Sequence, residues 1–161
     1  VGLVRAASPL KEVIMKTARQ MQQIIEKLAE KHGCDLSYRE AHLRLDMPGY
    51  DRLSIERIGP NQISVAHYFE QNGDLIADPE VVFFTGATEW IPIAIGQVLG
   101  GWREVAWLKP DGSAVDRYLP LAQKEVANFA NGWGRAIAKQ GWLDRATVTK
   151  IATRPESVAT A

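Results

Sequence analysis

The sequence has 161 residues, 46% of them hydrophobic and 24% charged, with 19 basic and 19 acidic side chains and no formal net charge. Those values describe a globular chain of one ordinary domain, residues 1–161, and exclude the disordered class; the balanced charge argues against a protein built around nucleic acid. The single cysteine, Cys34, excludes an internal disulfide and a cysteine metal framework, and no run approaches the roughly 20 apolar residues of a membrane span.

The start, VGLVRAASPL, lacks the apolar stretch of a secretory leader, so a cytoplasmic protein is expected, with residues 1–7 flexible. Ser8 and Pro9 read as the N-cap and first position of a helix. Leu10, Val13, Ile14, Ala18, Met21, Ile24, Ile25 and Leu28 recur at helical spacing, and Gly33 ends the pattern. The opposite face is charged, as on a helix laid against a sheet. Cys34 follows the helix end, where the carbonyl dipole disfavours a thiolate, so it is not read as a nucleophile.

From Ala41 the period changes to two. Ala41, Leu43 and Leu45 alternate with His42, Arg44 and Asp46, and after Met47-Pro48-Gly49-Tyr50 the alternation resumes with Leu53 and Ile55. Gly59-Pro60-Asn61 is a turn. Ile63, Val65, His67 and Phe69 form one face of the next strand, and Ser64, Ala66, Tyr68 and Glu70 the other. Asn72-Gly73 signals a hairpin, because both residues tolerate positive φ. Further strands are expected over Glu80–Phe84, Trp90–Val98 (with Pro92 demanding an edge or an early position), Arg103–Leu108 and Ser113–Tyr118, with Lys109-Pro110-Asp111-Gly112 as a turn. Strands joined by turns cannot be parallel, which requires crossovers of a dozen or more residues. The last helix should run from Pro120 to Gln140, with Ala122, Val126, Phe129, Ala130, Trp133 and Ile137 on one stripe, Gly132 and Gly134 marking close packing, and Gly141 as the cap. Beyond Leu143 the Ala, Thr and Ser content suggests a frayed, flexible end over 144–161. The expected fold is α+β: an antiparallel meander of about six to seven strands with an N-terminal and a C-terminal helix packed on it.

The densest polar constellation is His67, Tyr68, Glu70, Gln71, Asn72, Asp74, Asp78 and Glu80. With a two-residue Asn72-Gly73 turn, His67 faces Asp78 and Val65 faces Glu80, and an imidazole opposite a carboxylate is a natural hydrogen-bonded pair. Pro79 lacks the N–H such a ladder needs. The alternative is a wider loop over Gln71–Asp78, in which His67, Asp74 and Asp78 are the candidate ligands for a divalent cation. The plain reading is that Asn, Gly, Asp and Pro are what turns are made of. No dinucleotide fingerprint, phosphate loop, serine-hydrolase elbow or zinc-protease motif occurs. Among the five tryptophans, Trp90, Trp102 and Trp142 lie near element ends, where they could line a groove. Arg135, Lys139, Arg145, Lys150 and Arg154 face only Asp144 in acid over the same stretch, the best basic patch for nucleic acid.

The run YDRLSIERIGPNQISVAHYFEQNGDLIADPEVVFF, from Tyr50 to Phe84, resembles a bacterial domain family of unknown function whose members are often encoded on plasmids, phages and integrative elements. The signature is His-Tyr-x-Glu-Gln-Asn-Gly-Asp-x-x-x-Asp-Pro-Glu, and the likeness continues through WREVAWL and AQKEVANFANGWGRAIAKQGW to Trp142. The resemblance implies an accessory protein of mobile DNA and no particular reaction. The expectation is a non-enzymatic interaction domain that binds a protein or other macromolecule through the 67–80 hairpin, without cofactor. The competing expectation is a metal-dependent hydrolase or nuclease built from His67, Glu70, Asp74, Asp78 and Glu80, in which the metal activates water.

Overall fold

The computed structural model describes residues 2–6 and 15–156. Two helices lie on one face of a seven-stranded antiparallel sheet, and a smaller sheet covers part of the other. The strands of the large sheet are β2 (His42–Asp46), β3 (Arg52–Gly59), β4 (Gln62–Gln71), β5 (Asp74–Phe84), β6 (Ile91–Gln97) and β7 (Gly101–Glu104), each paired with the next. This is the expected meander. The seventh strand, β10 (Thr147–Ala152), pairs antiparallel with β2 at the edge. The small sheet is formed by β1 (Val4–Arg5), β8 (Ala106–Leu108) and β9 (Val115–Tyr118).

Three expectations are corrected. Residues 144–152 do not fray: α3 (Trp142–Arg145) turns the chain back and β10 satisfies its backbone on β2. Similarly, Val4 and Arg5, expected to be flexible, pair with Tyr118 and Arg117. Arg103–Leu108 is not one strand but two, because Val105 leaves both ladders. Its N–H donates to the Ile93 carbonyl and its own carbonyl accepts from Leu119, and through that residue the chain passes from the large sheet to the small one. Pro92 sits early in β6, as its missing N–H demands, although β6 itself is an interior strand.

The N-terminal helix begins later than its apolar spacing implies. Ser8 and Pro9 lie outside the described residues. Residues 15–18 belong to no helix or strand, and α1 runs from Arg19 to Lys31. Tertiary bonds explain the late start. The buried amide of Gln123 accepts from the Lys16 N–H at 2.9 Å and donates to the Lys16 carbonyl at 2.7 Å. The Ala18 N–H donates to the Trp90 carbonyl. The free N–H of Gln20 in the first turn donates to Asn131 Oδ1 at 3.0 Å, so the cap of α1 comes from another helix. That helix, α2 (Pro120–Gln140), has the expected bounds, with proline in its first turn and Gly141 at φ +92° as its cap. Gly134 marks its contact with α1. A Cβ there would fall 2.6 Å from the Met21 Cα, so no larger residue fits at this separation.

The sheet is buried unevenly. On the helix side, Leu43, Leu45, Leu53, Ile55, Ile63, Val65, Val81 and Phe83 form the main core with α1 and α2. On the other side, Val82, Phe84, Ile91 and Ile93 pack against Ala106, Val115 and Tyr118 of the small sheet.

Candidate functional site

The Asn72-Gly73 turn forms as its composition demands, with both residues at positive φ. The ladder below it runs Gln71 to Asp74, Glu70 to Leu75, Phe69 to Ile76 and Tyr68 to Ala77. There the register shifts: Ala66 pairs with Glu80, and Val65 with Val81 rather than with Glu80. The expected facing of His67 with Asp78 is therefore lost from the ladder, and the bulge falls at Asp78-Pro79, where proline has no N–H to donate. The bulge divides the hairpin into a regular exposed tip and a base that meets the helices.

The polar residues of this segment are spread over different surroundings. Gln71, Asn72 and Asp74 are exposed at the tip. Tyr68 and Glu70 line a hollow of about 700 Å³ with Arg52 and Leu75. The Glu80 carboxylate accepts from the Ser64 hydroxyl at 2.5 Å. His67 and Asp78 alone share a cleft, of about 660 Å³, at the hairpin base. Among the described residues no three His, Cys, Asp or Glu side chains are grouped so as to hold a metal ion. The five residues proposed for a hydrolase do not converge on one centre.

The cleft is built from four segments distant in sequence. The β2–β3 connection supplies Gly49, Tyr50 and Asp51, β4 supplies His67, the β5 bulge supplies Asp78 and Pro79, and α2 supplies Asn128, Phe129, Gly132, Trp133 and Gln140. Its floor is aromatic. The His67 ring lies 5.4 Å from that of Trp133 and 5.6 Å from that of Trp142, and Trp142 in turn lies 5.9 Å from Tyr50. Trp142 has no exposed surface, and its indole N–H donates to Gln140 Oε1 at 3.0 Å. Phe129, at 38% exposure, and Tyr50, at 43%, present large apolar faces at the walls.

His67 Nδ1 lies 3.0 Å from the Asp51 carbonyl. A carbonyl only accepts, so Nδ1 carries the proton, and in the neutral ring Nε2 holds the lone pair. Burial pushes the His67 pKa down, against an opposing pull from the Asp51 and Arg52 backbone, so the ring is neutral at pH 7. Among the described residues no Lys or Arg lines the cleft, whereas Asp51 and Asp78 do. Arg52 grips Asp46 at 2.8 and 3.2 Å, and Arg135, whose Nη2 lies beside Gly132, donates to Gln20 on α1.

Sequence reasoning singled out His67 and Asp78 and missed Asp51, Asn128 and Gln140, which carry no local signal. Trp133 flanked by Gly132 and Gly134 was the available clue to the helix wall. Of the tryptophans expected at a groove, Trp90 and Trp142 are buried and Trp102 is exposed on β7. Of the basic patch, Arg154 pairs with Asp35 at 3.0 Å and Arg145 donates to the Gln140 carbonyl, and Arg135, Lys139, Arg145, Lys150 and Arg154 are all exposed. Cys34 is buried, and that burial raises its thiol pKa, in keeping with an inert role. No described helix is long and apolar enough to cross a membrane.

The family model of a domain of unknown function, DUF6908, matches residues 19–143. That span starts with α1, ends just beyond α2 and contains every described residue that lines the cleft. No curated protein and no solved structure matches the chain.

Proposed function

We propose that this chain, which belongs to the DUF6908 family, is a non-enzymatic interaction module that binds a protein partner through the cleft at the base of the β4–β5 hairpin. The observation that carries the reading is the make-up of that cleft: aromatic walls from Tyr50, Phe129 and Trp133, with a few polar groups and, among the described residues, no group of three His, Cys, Asp or Glu that could hold a metal ion. Exposed aromatics beside a concave surface are what anchors a protein interface. Phe129 also lines an adjoining hollow against the β6–β7 hairpin, whose tip exposes Val98 and Leu99. Apolar surface thus continues beyond the cleft. The mobile-DNA setting implied by the sequence resemblance fits an accessory module of this kind, acting in the cytoplasm and needing no cofactor.

Site-specific photo-crosslinking in the native host tests the proposal. A crosslinking residue at Tyr50 or Phe129 is expected to trap the same polypeptide, and one at Asp74 on the hairpin tip is not. Gly132→Leu, which fills the cleft from a helix position where a Cβ meets nothing nearer than Arg135 Nη2 at 3.6 Å, is expected to abolish both products. Trapping only from the tip, or trapping indifferent to Gly132→Leu, overturns the reading.

A further inference from the structure

We infer that the cleft receives the guanidinium group of an arginine carried by the partner, an inference that rests on the cleft being the contact site. Charge selects the sign. Asp51 and Asp78 reach the cleft from separate elements, and among the described residues no basic side chain lines it, so an anion would meet two carboxylates. The remaining groups agree. The Nδ1–H of His67 is committed to the Asp51 carbonyl, which leaves Nε2 as an acceptor, and Asn128 offers an amide oxygen.

Shape and chemistry favour guanidinium over ammonium. Trp133 and Phe129, with rings 6.2 Å apart, form an aromatic wall against which a planar, weakly hydrated cation stacks. Guanidinium carries five N–H donors in a fixed plane, enough to engage acceptors from several directions at once, whereas ammonium is compact and strongly hydrated. At about 660 Å³ the cleft is larger than one side chain and leaves room for the backbone on either side of the arginine. The occupant is therefore an arginine within an extended segment of the partner.

The test uses the full ¹⁵N-labelled chain and its five indole N–H signals, with the Trp133 signal assigned by its loss in Trp133→Phe. The probes are N-acetyl-arginine-N-methylamide, its lysine counterpart and its citrulline counterpart, which replaces guanidinium by neutral urea of the same shape. The arginine probe is expected to shift the Trp133 signal saturably at millimolar concentration, and the other two to bind several-fold more weakly. Asp78→Asn keeps an oxygen to accept the Val98 N–H that Asp78 Oδ1 now takes at 3.4 Å, and Asp51→Asn leaves the backbone carbonyl on His67. Each is expected to fold normally and to weaken the arginine probe by about tenfold, the scale of one charge-assisted hydrogen bond. Equal binding of the citrulline probe, or unchanged affinity in both Asn variants, overturns the arginine assignment while leaving the cleft as a contact site. No saturable shift with any probe also overturns it, and the crosslinking result then decides separately whether the cleft binds a partner.

Discussion

The base and the tip of the β4–β5 hairpin are made of the same two strands and differ in what surrounds them. At the tip, Gln71, Asn72 and Asp74 surround a regular two-residue turn and face solvent. At the base, one proline ends the regular ladder, the register slips by a residue, and His67 and Asp78 come to rest against side chains from the 47–51 connection and from α2. The tip holds the dense polar run that stands out in the sequence, while the base holds the concave surface. Polar density along a chain reports a turn, because turns are built of those residues. A site requires convergence of segments, which is a property of the fold.

If the base is a built surface and the tip a plain turn, substitutions should separate them. The largest effect is expected from Trp142→Ala. The ring is fully buried and supports both His67 and Tyr50, so its removal should cost about 3–5 kcal/mol in denaturant unfolding. A loss below about 1 kcal/mol would mean that the floor of the cleft is not part of the core. Next comes the pair of glycines on α2. Gly134→Ala places a Cβ 2.6 Å from the Met21 Cα and 2.7 Å from its N, and forcing the two helices apart should destabilise by about 1–3 kcal/mol. Gly132→Ala meets only Arg135 at 3.6 Å and should be neutral or stabilising by up to about 1 kcal/mol, through helix propensity. The same substitution should weaken partner capture, since Gly132 lines the cleft. Equal melting shifts for the two alanines would refute this division of roles.

At the tip, Gly73→Ala should cost about 1 kcal/mol, because φ is +85° there and only glycine adopts it without strain. Partner crosslinking from Phe129 should persist. Asp74→Ala and Gln71→Ala should change neither stability nor crosslinking measurably, as expected of exposed residues away from any special contact. Loss of crosslinking in these tip variants would erase the distinction between the two ends.

How far the sequence was legible follows the same line. The Asn72-Gly73 turn and the ladder down to Tyr68 and Ala77 were legible as one of two readings, beside a wider loop over Gln71–Asp78, because both depend on neighbours within a few residues. The bounds of α2 were legible for the same reason, from Pro120 at one end and Gly141 at the other. Pro79 announced that the ladder would fail but not which way the register would slip. The start of α1 was not legible, since the groups that hold residues 16–20 belong to Gln123 and Asn131, more than a hundred positions away. The break at Val105 likewise depends on Ile93 and Leu119. The cleft was the least visible feature: Asp51, Trp133 and Gln140 become neighbours of His67 only after the sheet and both helices are in place.

The smallest effect separating base from tip is a pH dependence, since the tip has no histidine. In the unfolded chain His67 titrates near its ordinary value of 6.5, and in the folded chain burial holds it lower. Between those two values the unfolded state binds more protons than the native state, so stability rises with pH across that window. The contribution is fully present above about pH 6.5, falls as the pH drops towards the native value and levels off below it. His32 and His42 are also depressed by burial and add slopes of the same sign, so the wild-type curve alone does not isolate His67. The comparison with His67→Gln does. The variant should lose part of the decline between pH 7 and pH 5 and keep the part owed to the other two histidines. Chemical denaturation at closely spaced pH values provides the measurement. Parallel curves for the two proteins would mean that His67 is no less easily protonated in the fold than in the open chain, and that the hairpin base is as open to water as the tip.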